Sequence, residues 1–306
     1  MATRLLVVLA STPAALIGCH STDDGLPTRA PTSVTKVSSG GFESPTDAVA
    51  SPDGRTFYFA AWDMAKQPTL FQVSSEPDST PKPLAAGDPL EAPMGLVMSC
   101  DGSTLYVADM GGDVGALLAV PTAGGQLAAL GATGLTRPGG LAMGPDCKSL
   151  FATGRLDDGT PALFQVPIGG GAARTVYQGA PLVSPTGLHV DNQGVAWVMD
   201  HTAQGANGEG VLFAIPSDGS KATEVMSSLR MGTPGGVSLT AGGGTAVMPT
   251  RDENGAAQLT SVDIATGAVT QLPLSGMTDP AGLRTARKAG VFALIGSEDG
   301  AVYRAE

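Results

Sequence analysis

The chain has 306 residues, 42% hydrophobic and 15% charged, with 43 Gly and 23 Pro. That composition buries a large core through many tight turns, the profile of short strands rather than long helices. A formal net charge of -11, with only 17 Lys+Arg, supplies no positive face for phosphate, so nucleic acid is excluded as an expected partner.

Residues 1–18, MATRLLVVLASTPAALIG, place Arg4 before a mostly apolar stretch from Leu5 to Leu16 and then small residues. This reads as a signal peptide, too short to span a bilayer as a stable helix. The last residues, Leu16-Ile17-Gly18-Cys19, resemble the lipobox of bacterial lipoproteins. The resemblance implies lipidation of Cys19 and attachment to a membrane through that lipid; the alternative is a secreted protein with an incidental cysteine. In enterobacterial lipoproteins Asp after the lipidated cysteine marks the inner membrane, and His20 stands there in this chain. The expected address is the cell envelope, with the outer membrane favoured. Residues 19–31 are polar, hold two prolines and read as a flexible tether.

From Ser44 onward one pattern recurs: SPTDAVASPDGRTFYFA, then APMGLVMSCDGSTLYVA from Ala92 and RPGGLAMGPDCKSLFAT from Arg137. Looser copies are SPTGLHVDNQGVAWVMD from Ser184, TPGGVSLTAGGGTAVMP from Thr233 and DPAGLRTARKAGVFALI from Asp279. The anchoring prolines are 45, 93, 138, 185, 234 and 280, so the spacings are 48, 45, 47, 49 and 46 residues. A period in the forties that opens with two strands is the signature of a β-propeller blade. Third strands follow at TLFQV (69–73), ALLAV (116–120), ALFQV (162–166), VLFAI (211–215), QLTSV (258–262) and AVYRA (301–305). Gly-rich turns come after most of them, so IGGGAAR (168–174) is a hairpin and not a phosphate loop. The sixth unit ends after its third strand, and TSVTKVSS (32–39), which belongs to no other unit, is expected to be its outer strand. The predicted fold is all-β: a six-bladed propeller of four-stranded blades over residues 32–306.

The Pro-x-Gly-Leu start, the Asp-Gly hairpin and the six-fold count resemble the NHL-repeat and gluconolactonase-like (strictosidine synthase, paraoxonase) group of six-bladed propellers. In its lactonase-like members a divalent metal sits on the axis, held by a Glu of a Glu-Ser-Pro segment and by Asn or Asp before the aligned glycine of later blades. Glu43 matches the first ligand, but the residues before the glycines are Met94, Gly139, Thr186, Gly235 and Ala281, none a ligand for a hard cation. Asp47, in place of the aligned glycine of the first repeat, gives Glu43 a single companion. No cofactor is therefore expected beyond a weakly held calcium at Glu43, against which stands a turn role for the pair.

Loops after the second strands bring Trp62, Asp63, Asp109, Arg155, Asp157, Asp200, His201, Arg251, Asp252 and Glu298 toward one mouth, with Glu43 and Asp47 beside them. Such a mouth suits a small polar ligand or an envelope protein; the plain reading is solvated loop ends, and Asp109 and Asp200, at one repeat position, favour structural hydrogen bonds. His201 with Asp200 is the one pairing for acid-base catalysis, although neighbours on a strand end point to opposite sides. His189 falls inside an inner strand. The expected function is binding or scaffolding, the alternative a gluconolactonase-like hydrolase acting at the axial mouth.

With Cys19 assigned to lipid, Cys100 and Cys147 remain, in the same hairpin of neighbouring repeats. Inner hairpins converge toward the axis, so a disulfide between them is expected, two buried free thiols being the alternative.

Overall fold

The computed structural model describes residues 27–203 and 209–306. The signal peptide, Cys19, His20 and most of the tether lie outside the described residues. Strand β1 (Val34–Ser39) leads into a sheet ordered β2 (Phe42–Ala50), β3 (Thr56–Asp63), β4 (Pro68–Ser74) and β5 (Lys82–Ala86). A second sheet follows in β6 (Pro93–Met98), β7 (Thr104–Asp109), β8 (Ala116–Pro121) and β9 (Ala128–Ala129). Next come β10 (Ala132–Thr133), β11 (Leu141–Met143), β12 (Ser149–Arg155), β13 (Pro161–Pro167), β14 (Gly171–Ala172) and β15 (Arg174–Gln178). Of these β11, β12, β13 and β15 form a sheet, while β10 and β14 pair in parallel, so the IGGGAAR segment is strand and turn.

Strands β16 (Pro185–Val190), β17 (Ala196–Asp200), β18 (Glu209–Ile215) and β19 (Thr223–Arg230) make a fourth unit. The fifth holds β20 (Ser238–Leu239), β21 (Thr245–Arg251), β22 (Ala257–Asp263) and β23 (Val269–Pro273). One residue pair, Arg230 opposite Arg251, joins them into a continuous eight-stranded sheet. The last sheet takes β24 (Pro280–Thr285), β25 (Phe292–Gly296) and β26 (Ala301–Ala305), and β1 supplies its outer strand with Val34 opposite Ala305. The first and last described strands thus meet in one sheet. The single helical turn among the described residues is Ala241–Gly243.

Both faces of each sheet are covered, which is why the strands read as near-continuous apolar runs. Side chains alternate along β3, so Phe57 and Phe59 enter a cluster with Ala293 and Ile295 of the last sheet. Tyr58 and Ala60 enter one with Leu96, Leu105 and Val107 of the second. Equivalent clusters fill the spaces between the later sheets.

The recurring glycine has a steric cause. The first strand of each unit packs on that of the next, and β24 packs on β2. A Cβ on Gly95 would collide with the Gly139 carbonyl, on Gly140 with that of Thr186, on Gly187 with that of Gly235, and on Gly236 with the Leu283 amide. The recurring Asp of the first hairpin also has local work. Asp53, Asp101, Asp146 and Asp191 each accept a backbone N–H from the residue two positions on, at 2.9–3.2 Å. Cys100 and Cys147, in these hairpins of neighbouring sheets, form a disulfide with Cα atoms 5.8 Å apart.

Candidate functional site

Four of the acids that the sequence gathers at one mouth, Asp63, Asp109, Asp200 and Asp252, are engaged in holding loops. Asp109 accepts the N–H groups of Glu91 (2.9 Å), Ala92 (3.1 Å) and Gly111 (2.7 Å). Asp200, fully buried, does the same for Val183 (2.7 Å), Ser184 (3.0 Å) and Thr202 (3.2 Å). Both carboxylates thereby fix the segment that enters the first strand of their own unit. Asp63 accepts from Ala65 (2.8 Å) and Gln67 (2.9 Å), and Asp252 from Asn254 and Ala256 (both 2.8 Å), closing their turns. Arg155 donates to the carbonyls of Gly159 (2.8 Å) and Val183 (3.0 Å). Glu43 forms an ion pair with Lys66. Asp157 and Glu298 are exposed, and Trp62 is half-buried.

Asp47 departs from the mouth altogether. Its carboxylate accepts the N–H of Leu96 (2.9 Å) on the next sheet and of Ala48 (2.9 Å), and pairs with Arg284 of the last sheet at 3.2 Å. Burial pushes the Asp47 carboxyl above its ordinary value, against the opposing pull of Arg284 and the two amides. Arg284 also donates to the Leu188 carbonyl of the fourth unit. His189, two residues past its glycine as Arg284 is past its own, is held down to about 3 by desolvation and by the charges of Arg284 and Arg287. The axis therefore holds a buried ion pair beside a neutral imidazole, an arrangement that braces the first strands.

Among the described residues no three His, Cys, Asp or Glu side chains converge on a point where a metal ion would sit. An open concavity lies where residues of the fourth, fifth and sixth units meet. It is a cleft of about 520 Å³, lined by His201, Arg230, Met231, Gly232, Thr233, Arg251, Glu253, Asn254, Gly255 and Asp279. His201 faces this cleft, its Nε2 at 3.0 Å from Thr233 Oγ1, while Asp200 beside it turns inward. Arg251 pairs with Asp279. Arg230 donates through Nη1 to the Glu253 carbonyl at 2.7 Å.

No family model matches this chain, and no curated protein does. Solved structures do match its fold. A nidogen/laminin complex superposes with a TM-score of 0.59 at 16% identity, covering 74% of this chain and 82% of that one. A putative TolB from Agrobacterium tumefaciens gives 0.58 at 18% identity, covering 87% and 90%. An oligogalacturonate lyase from Vibrio parahaemolyticus gives 0.55 at 12%, covering 92% and 96%. The fold is a β-propeller.

Within the propeller, His201 and Arg251 are the expected mouth residues that meet in one cleft; Glu43, Asp47, Asp63, Asp109, Asp157 and Asp200 do not line it. The sequence reading missed Arg230, which ends the outer strand β19, and Thr233 and Asp279, which lie just before first strands, none of them in the loops after second strands. It also missed Arg284. A signal for that residue was present: at its repeat position the other units carry Val49, Val97, Ala142, His189 and Ser238, so an arginine there is the outlier.

Proposed function

We propose that this chain is a six-bladed β-propeller, anchored at the cell envelope through a lipid on Cys19, that works as a binding or scaffold module and not as a hydrolase. Residues 1–18 are the removed signal, residues 19–31 the tether and residues 32–306 the propeller, whose blades start near 45, 93, 138, 185, 234 and 280 and whose last blade is completed by residues 32–39. The outer membrane is the favoured site, from His20 after the lipidated cysteine. A fold neighbour solved as a nidogen/laminin complex is a precedent for protein binding by such a module.

The observation that carries the non-catalytic reading is the fate of the carboxylates. Asp63, Asp109 and Asp200 are consumed by backbone amides, Asp47 by Arg284 and Glu43 by Lys66. A lactonase-like centre needs several free oxygen ligands around one ion, and Glu43 has no such company. The test is elemental analysis of the purified protein after dialysis against calcium, manganese and zinc in turn. The expected result is less than stoichiometric metal; one tightly held divalent ion per chain would overturn the reading.

A further inference from the structure

We propose that the cleft among the fourth, fifth and sixth units takes its ligand through a carboxylate, gripped by Arg230 beside Arg251. The inference rests on the binding-module reading and names the ligand chemistry for it. Arg230 and Arg251 are direct partners across the one strand pair that joins two otherwise separate sheets. Like charges placed opposite one another on paired strands repel. Asp279 neutralises Arg251, with which it forms an ion pair. Arg230 forms no ion pair among the described residues, and its Nη1 donates to the carbonyls of Asp252 (3.4 Å) and Glu253 (2.7 Å).

The Nε and Nη2 edge of this exposed guanidinium is therefore left for a planar acceptor, and a carboxylate matches that fork with two parallel hydrogen bonds. The acids of the cleft decide against a phosphate. Asp279 and Glu253 line the same space as Arg251 and Arg230, so the two pairs of charges offset one another and leave no net positive charge to favour a phosphate dianion over a monocarboxylate. Beyond the guanidinium, Thr233 Oγ1 and the His201 ring supply hydrogen-bonding groups to the body of the ligand. The volume of about 520 Å³ falls within the range that holds small molecules or the end of a peptide, roughly 300–1,000 Å³. Both sources present the same group, a small organic acid or a chain's free C-terminus.

The test is an NMR titration of the purified protein with matched pairs: butyrate against butyramide, and acetyl-glycyl-alanine against its C-terminal amide, with inorganic phosphate as a further arm. At least one acid is expected to saturate with a dissociation constant of about 10 mM or tighter, and its amide to bind about tenfold or more weakly. Arg230→Gln, an exposed site, is expected to lose about tenfold in affinity with an unchanged melting temperature. Preference for butyrate or for the peptide acid tells the two sources apart. The proposal is overturned if no acid saturates by about 100 mM, if acid and amide bind alike, if phosphate binds more tightly than both acids, or if Arg230→Gln binds as the parent does. Product resonances appearing in the same tubes would overturn the non-catalytic reading and leave the carboxylate contact standing.

Discussion

Asp47 and Arg284, 237 positions apart in sequence, form a buried ion pair at 3.2 Å that links the first sheet to the last. Each side chain reaches a further unit, Asp47 through the Leu96 amide and Arg284 through the Leu188 carbonyl. Removing one member of a buried pair leaves its partner uncompensated. Arg284→Val is therefore expected to cost about 3–5 kcal/mol in urea unfolding. Restoring the repeat pattern at both positions, Asp47→Gly with Arg284→Val, should recover more than half of that loss. A double variant no more stable than Arg284→Val would show that the pair does not act as a unit.

The axis also predicts a pH dependence. His189 titrates near 3 in the folded chain but near its ordinary value of 6.5 when unfolded. Between those values the unfolded state binds more protons, so stability falls as pH drops from 6.5 toward 3. The loss is on the order of 2 kcal/mol after allowance for the partial exposure of the ring. Asp47 acts in the opposite sense. Its folded value is raised, so its contribution is greatest at low pH and is lost as pH rises through that value. Chemical unfolding at pH 7 and pH 4.5 separates the two, because His189→Gln removes the imidazole part alone. An unchanged pH slope in that variant would refute the assignment.

The first strands approach one another too closely for a side chain at the repeat glycine, so Gly187→Ala should destabilise by about 1–3 kcal/mol through overpacking against Gly235. Gly169, with open space around it, is the control, and its alanine variant should stay within about 0.5 kcal/mol of the parent. Equal effects at the two positions would remove close packing as the reason for the repeat.

These relationships show why the architecture was legible and the site was not. Pro-x-Gly and Asp-Gly recur because each answers a local need repeated in every unit, a close strand contact or a turn amide, and periodicity exposes such needs. The disulfide followed from the same register, since Cys100 and Cys147 occupy one hairpin in neighbouring repeats. The cleft breaks the period. Arg230 ends an outer strand while Thr233 and Asp279 lie in connections, and an alignment of repeats says nothing of which of these meet. Asp47 is a separate case: standing in place of the first repeat's aligned glycine, it suggested a companion for Glu43, whereas its carboxylate is held by Arg284 and the Leu96 amide.

The Cys100–Cys147 bridge closes a loop of 47 residues. Its removal in Cys100→Ser/Cys147→Ser should cost about 4 kcal/mol by the chain-entropy estimate. Unfolding of the double variant with the same midpoint as the parent would show that the bridge adds nothing to stability.

Anchoring is tested by Cys19→Ser, which should leave the protein in the soluble fraction or as unprocessed precursor. Undiminished membrane association with a normal mature mass would remove the lipoprotein assignment.

Turnover separates the proposed binding module from its lactonase-like alternative. The purified protein is incubated with gluconolactone and with an aromatic lactone in excess calcium, manganese or zinc, and acid release is followed by pH-stat beside a Glu43→Gln variant. The expected result is hydrolysis at the buffer rate for both proteins with every metal. Metal-dependent turnover by the parent that Glu43→Gln abolishes would contradict the account.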